Sequence, residues 1–431
     1  MSLGISVKNF VFFLAIFPIF NGFASHGKSL LPNDTPKKNQ DYLISSPDGW
    51  RGKLAEKGFT IATDYLQYVL GNPIGQKRAI VHTEQFSADF NWNLEKAYGI
   101  PGLELHLGML IVSGKNLETA TGSTFPLTLL YGGRTFLVNN LYLKQTSTDG
   151  KIAFKVGRIQ SGDDFLTSPL HLKFLSLAFD AQIAMYINTP ASGYPYATWG
   201  AFFSSNVSNF IQLNFGVYKA NKASFQNKYH GLDLSFDSQG GAEFIFESVY
   251  KINQHPFSRG LASTFKLGAF YFSGTTNRFI TGDRNGNYGA YFSYDQKIYR
   301  PHHQLKSRGL SSFLTLLFFP KDRNTFEFYT TAGLVYEGLF SSRPKDTTAF
   351  AIARGSYSSV LRSQQRVAQE GNATGPYGNQ PQTYEMLLEL NHWFYIKPWF
   401  NVTPAVQYVI KPQGMKTANA FIMNLQIDTR F

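Results

Sequence analysis

Residues 421–431 alternate strictly enough to limit what this chain can become. Phe421, Met423, Leu425, Ile427, Thr429 and Phe431 fall on one face of an extended strand, and Asn424, Gln426, Asp428 and Arg430 on the other. Successive side chains of a strand point to opposite faces, so the segment has one apolar and one wet side. A soluble sandwich strand has the same pattern. An apolar face closed by an aromatic residue also suits the lipid-facing wall of a membrane barrel.

The alternation recurs along the chain. Phe86, Ala88, Phe90, Trp92 and Leu94 oppose Gln85, Ser87, Asp89, Asn91 and Asn93, and Phe244, Phe246 and Tyr250 oppose Glu243, Glu247 and Lys251. The pattern predicts strands at 59–70, 81–93, 102–113, 134–145, 151–159, 196–205, 209–219, 241–252, 261–273, 287–298, 309–319, 325–338, 347–357, 382–395, 399–410 and 419–431. That is about sixteen, an even number, with runs as long as tilted membrane strands need. The connections sort by length. One alternate set (71–80, 114–133, 160–195, 220–240, 274–286, 320–324, 358–381, 411–418) holds every long one; the other (94–101, 146–150, 206–208, 253–260, 299–308, 339–346, 396–398) holds only short ones. Outer-membrane barrels have long extracellular loops and short periplasmic turns, an asymmetry a sandwich does not require. The expected fold is therefore all-β: a transmembrane antiparallel barrel over 59–431.

The first 24 residues read as a secretory signal, with Lys8 as the positive region, an apolar core over 9–20 and Gly22-Phe23-Ala24 as the cleavage site. Residues 25–58 read as a periplasmic tail ending in a short helix with a glycine stop. Beyond Ala24 no apolar run approaches the length of a membrane helix, which leaves a soluble fold or a closed barrel. The 431 residues include no cysteine, which excludes disulfides, thiolate metal sites and cysteine nucleophiles. Losing Lys8 lowers the net charge from +12 to +11. Lys and Arg are scattered, so nucleic acid is not an expected partner; a basic lumen or anionic headgroups are. Outer-membrane lipid and lipopolysaccharide are thus expected partners. The terminal strand ending at Phe431 is the expected handle for the barrel assembly machinery. No stripe of small residues marks the lipid face, which favours a monomer over a trimer.

The connection 160–195 is too long for a plain loop. A barrel of this width leaves an aqueous channel unless something narrows it, and this loop, with Asp163, Asp164, His171 and Lys173, is the candidate to fold inward. The segment 231–236 could form an extra strand. Asp283-Arg284-Asn285-Gly286-Asn287 begins like a calcium loop, but Tyr288 and Tyr294 stand at its Gly and Glu positions, so it reads as a turn. His302-His303 reads as a solvated pair in a turn. No G-x-S-x-G elbow or HExxH is present, and no catalytic or metal-ligating set or cofactor is expected.

Several stretches carry a family likeness: Trp50 with Leu54-Ala55-Glu56-Lys57-Gly58; Asn93-Leu94-Glu95-Lys96 followed by Gly99-Ile100-Pro101-Gly102; Val156-Gly157-Arg158 with Asp163-Asp164-Phe165; Tyr194-Pro195 with Trp199-Gly200; Tyr288-Gly289-Ala290-Tyr291 with Asp295-Gln296; Tyr336-Glu337-Gly338-Leu339 with Arg343-Pro344-Lys345-Asp346; and Lys397-Pro398-Trp399 through Pro404 and Gln407-Tyr408 to Pro412. In this order, with a terminal Phe, the chain resembles the carbohydrate-selective porins of the OprB type. The resemblance implies a sixteen-stranded outer-membrane barrel passing sugars by diffusion through a constricted, partly charged pore. One departure is the strand 134–145, where Asn139-Asn140 and Lys144 stand in place of an expected acid. That leaves a second reading open, a pore for anionic or acidic solutes.

A sugar pore needs hydrogen-bonding groups and opposed charges along its wall, each weak enough to release the solute. Parity offers Asp89, Asn91, Glu104, His106, Asn140, Lys144, Glu243, Glu247 and Lys251 as pore-lining or constriction candidates. Arg158, Asp163, Asp164 and Lys173 join them at the start and within the long loop. Glu327, Gln407 and Asp428 share the lumen parity. A barrel enzyme and a soluble exported protein are the remaining alternatives. His106 has Glu104 on its face but no adjacent serine, which argues against the enzyme.

Overall fold

The computed structural model describes residues 42–44, 49–130, 133–180, 182–220, 227–235, 240–255, 258–280, 282–301, 308–371 and 380–431. The expected signal segment and His302-His303 lie outside the described residues. Sixteen strands run in chain order: β1 (Phe59–Ile74), β2 (Ile80–Asn93), β3 (Leu103–Gly114), β4 (Thr135–Thr146), β5 (Ile152–Ile159), β6 (Thr198–Asn206), β7 (Ile211–Lys219), β8 (Ala242–Ile252), β9 (Ser263–Arg278), β10 (Gly282–Tyr299), β11 (Gly309–Phe318), β12 (Phe326–Glu337), β13 (Thr347–Tyr357), β14 (Tyr384–Lys397), β15 (Phe400–Ile410) and β16 (Ala420–Arg430). Each pairs antiparallel with its sequence neighbour. β1 closes on β16, with Asp64 opposite Arg430 and Val69 opposite Leu425. Closure leaves no unpaired edge, which is what lets strands cross lipid. Among the described residues no helix is long and apolar enough to cross a membrane.

The closing strand follows its predicted parity. Met423 and Leu425 face outwards at 58% and 38% exposure, while Asn424 and Gln426 face inwards at 4% and 2%. The Arg51 guanidinium, on the short helix Trp50–Glu56, reaches the carbonyls of Ile61 and Phe431, and Thr63 Oγ1 donates to the Phe431 carbonyl at 2.8 Å. The chain's two ends of the wall are thereby tied at the seam where the barrel closes.

Two expectations about the strands need correction. The predicted connection 274–286 is largely strand: Asp283 pairs with Asn277 and Asn285 with Thr275, with a register shift beyond Asn285, and only residues 279–281 separate β9 from β10. A hairpin that projects into water needs no apolar face, so polar residues continue the ladder unseen by a periodicity argument. The tip is also braced: Arg278 and Arg323 both donate to the Asp322 carboxylate, at 2.6 and 2.8 Å. The segment 231–235 is not a strand, and Phe236 lies outside the described residues.

Inside the barrel sits a packed apolar core. Leu117, Phe125 and Leu127 of the connection 115–134, and Phe165, Leu166, Phe174, Leu175 and Phe179 of the connection 160–197, are at most 1% exposed. They pack against inward aromatic residues of the wall, among them Tyr218, Phe313 and Tyr329. Phe125 meets Tyr329 edge-on at 5.6 Å, and Phe174 meets Phe313 at 5.7 Å. Two segments fold inward where the sequence pointed to one. They are joined to each other by the Leu177 N–H on the Thr128 carbonyl at 3.2 Å and by Ser176 Oγ on the Pro126 carbonyl at 2.5 Å.

Candidate functional site

An inward segment brings backbone N–H groups into a space without strand partners, and each needs an acceptor. Glutamates on the inward faces of the wall supply them. Glu247 of β8 accepts from the Leu166 N–H at 2.8 Å, from Tyr291 Oη at 3.0 Å and from Asn214 Nδ2 at 3.1 Å. Glu389 of β14 accepts from the N–H groups of Leu175 at 2.7 Å and Ser176 at 3.1 Å, and also from Gln407 Nε2 at 2.9 Å. Glu385, four residues earlier on the same face, accepts from the Thr124 N–H at 3.0 Å, Ser123 Oγ at 2.7 Å and the Gln413 N–H at 2.7 Å. All three carboxylates are on fully buried residues. Tyr329 Oη adds a bond to the Ala178 carbonyl at 2.5 Å, and Asn188 Nδ2 one to Phe326 at 2.8 Å. The connection 160–197 is thus bonded to β8 and to β12 and β14, and spans the inside of the barrel.

The start of that segment is fixed by charge. Lys155 Nζ lies 2.6 Å from Asp164, both side chains 4% exposed, and Tyr218 Oη donates to Asp164 at 3.2 Å. Asn140 Nδ2 donates to Asp163 at 3.2 Å. Burial pushes the Asp163 carboxyl up to about 7, against the pull of Lys155 and with the push of Asp164. Lys173 sits deeper in the segment, 3.8 Å from Glu337, with its ammonium 5.9 Å over the Trp393 ring. Its carbonyl accepts from Asn391 Nδ2 and Trp393 Nε1.

The remaining candidates form cross-strand pairs on the inner wall. Glu104 and Lys144, opposite each other on β3 and β4, are 3.1 Å apart. His106 Nε2 lies 3.4 Å from Asp89, and its ring stacks on Tyr142 with centroids 4.8 Å apart. Asn91 is half-buried and pairs with His106 across the ladder. Asp428 accepts from Asn401 at 3.3 Å. Glu243 is fully buried on β8. Lys251 Nζ donates to Gln212 Oε1 at 2.6 Å. Lys155, Asp163, Asp164, Lys173, Glu247 and Lys251 all border one cavity of about 670 Å³ between the inward segment and the wall. The other candidates lie outside it.

Arg158 and Glu327 do other work. Arg158 shares the parity of Phe154 and Val156, each more than 40% exposed, yet is itself 1% exposed. The segment 227–235 covers it: its guanidinium donates to the carbonyls of Asp233 at 2.5 Å and Gly231 at 2.9 Å, and to Ala197. The β4–β5 ladder stops at Leu141 and Arg158, and the His230 carbonyl takes the Val138 N–H beyond it, at 2.9 Å. Gly231 is required there, because a Cβ would lie 2.1 Å from the Val138 oxygen. Arg158 is therefore a clasp on the outer side of the wall and not a constriction residue. Glu327 accepts from the Ser359 N–H at 2.9 Å, at the start of the helix Ser359–Glu370.

A closed sixteen-stranded barrel with charged and amide pairs on its inner wall, apolar residues outside and a segment strung across the lumen defines an outer-membrane channel. The family model for carbohydrate-selective porins of the OprB family matches residues 77–431, and the chain belongs to that family. It is 26% identical to Porin B of Pseudomonas aeruginosa over 91% of this chain and 92% of that one. It is 23% identical to a putative porin, QuiX, of Acinetobacter baylyi over 93% and 95%. A high-pH structure of Pseudomonas putida OprB superposes with a TM-score of 0.84, 24% identity and coverage of 92% of this chain and all of that one; the low-pH structure gives 0.60 at 20% identity. The fold and the family are those the resemblance implied, and they place the barrel in a Gram-negative outer membrane.

Proposed function

We propose that this porin lets mono- and small oligosaccharides diffuse passively across the outer membrane, and that the connection 160–197 narrows its path. The observation that carries this reading is the anchoring of that segment to carboxylates on two sides of the barrel, Glu247 and Glu389. Such a bar leaves polar chambers and no open bore. Opposed charges such as Glu104 and Lys144, and hydroxyl and amide groups beside them, meet a sugar's hydroxyls singly and weakly, so the solute is ordered and released. The outer face is solvated by lipid and lipopolysaccharide. The chain is exported through its first 24 residues, is inserted by the assembly machinery through the strand ending at Phe431, and works as a single barrel.

Lys144 does not favour the reading for acidic solutes, because Glu104 neutralises it. Liposome swelling with a size-graded sugar series tests the proposal. Entry of a hexose with exclusion of a large oligosaccharide is expected; equal entry of both would remove the narrowing, and no hexose entry would remove the channel.

A further inference from the structure

The cavity of about 670 Å³ has a size typical of small-molecule sites. Its lining holds five lysines and five carboxylates, which would balance if they were evenly mixed. They are not. Asp164 is held by Lys155 at 2.6 Å, and Asp163 accepts from Asn140 Nδ2 at 3.2 Å. Glu247 already accepts from three donors, the Leu166 N–H of the inward segment and the Asn214 and Tyr291 side chains of the wall. Asp295 accepts from Ser168 Oγ of the same segment at 2.7 Å. Glu337 stands 3.8 Å from Lys173. The acids are occupied in docking the segment.

The cations on the facing wall are placed differently. Lys251, Lys266 and Lys297 lie on the inward faces of three consecutive strands, β8, β9 and β10. Lys251 pairs with Thr264, two residues from Lys266, and Thr264 pairs with Asp295, two residues from Lys297. Diagonal neighbours on one sheet face are within reach of long side chains. Lys266 is 3.6 Å from the already occupied Glu247 and donates to the neutral Thr167 Oγ1 at 3.2 Å. Lys251 donates to a neutral amide, Gln212, and among the described residues forms no close ion pair. Around them stand the neutral groups Gln212, Thr264 and Ser311. A cation with a neutral partner in a half-enclosed space attracts an anion more strongly than one in bulk water.

We propose that this chamber holds a subsite for sugar acids, with the solute's carboxylate drawn to Lys251 and Lys266 and its hydroxyls met by Gln212, Thr264 and Ser311. The inference rests on the sugar-channel reading and adds a class of solute to it. The test is swelling of liposomes carrying the whole barrel, with glucose or gluconate as probe and the membrane potential dissipated, for the native protein, Lys251→Gln and Lys251→Arg. The native protein should admit gluconate at least as fast as glucose. Lys251→Gln should lower the ratio of gluconate to glucose entry roughly tenfold, and Lys251→Arg should restore it. Raising the salt from about 0.01 M to about 1 M shortens the screening length from about 30 Å to about 3 Å and should erase the preference. Gluconate entry unchanged in Lys251→Gln, or gluconate and glucose falling together, would overturn the subsite while leaving a sugar channel. No glucose entry in the native protein would instead remove the reading on which it rests.

Discussion

On β16, Met423 and Leu425 turn outwards and Asn424 and Gln426 inwards. In the connections 115–134 and 160–197, apolar residues such as Phe125, Phe174 and Phe179 turn inwards and are wholly buried. The wall and its filling obey opposite rules. The wall is held by backbone ladders and has its apolar side toward lipid, where no water is released by packing against another part of the chain. The filling is an ordinary hydrophobic core built inside a cylinder, moored by carboxylates to a wall that must also stay polar where solutes pass. Folding stability of the two parts should therefore respond to different substitutions, and the pore should depend on the filling more than on the wall.

The largest effect is expected inside. Phe179→Ala should cost about 3–5 kcal/mol by leaving a cavity in the core. Hydrogen exchange should rise in 160–197 and stay low in β14–β16. Uniform loosening of both would erase the distinction between wall and filling. Next, Leu425→Arg on the lipid face should cost about 2–4 kcal/mol near the membrane midplane, read as lower refolding stability in vesicles, with an unchanged sugar size limit. A tighter or looser limit would mean the wall itself sets the pore. Glu389→Gln should weaken the docking of 160–197 by about 1–3 kcal/mol, because buried N–H groups lose a charged acceptor. Single-channel recordings should show larger and noisier conductance.

Smaller effects lie outside the lumen. Arg158→Gln should free the segment 227–235 to protease at a cost of about 1 kcal/mol and leave sugar entry unaltered; altered entry would return Arg158 to the pore. At the outer hairpin tip, hydrogen bonding from Arg323, opposed by burial and joined by Arg278, holds the Asp322 carboxyl at about 2. Because this lies below the unfolded value of about 3.9, its contribution is complete above about pH 4 and is lost as the pH falls toward 2. Exchange at 275–285 should quicken over that window by an amount worth at most about 1 kcal/mol, and Asp322→Asn should abolish the change.

The wall was legible because every spanning strand must repeat the same two-residue rhythm between oil and water. The polar tip of β9–β10 was not, since past the membrane nothing enforces that rhythm. For the filling, the length of 160–195 was a signal and the second segment was missed. Its clue was present: Phe125-Pro126-Leu127-Thr128-Leu129-Leu130 is an apolar run in a connection, and such a run must be buried somewhere. Glu385 and Glu389 carried a similar clue, two acids on the inward parity of one strand. Parity placed Arg158 outwards, and only its position at the start of the long loop made it a pore candidate. Pairings such as Asp164 with Lys155, or Leu175 with Glu389, join residues far apart in sequence or set by loop geometry, and no spacing rule reveals them.

The most direct measurement is the sugar size limit of liposomes carrying the native barrel beside those carrying Glu247→Gln with Glu389→Gln, with wall pairing verified by hydrogen exchange. A larger limit in the double variant, with β1–β16 protection intact, is the predicted result. The same limit in both, with the segment demonstrably released, would contradict the account.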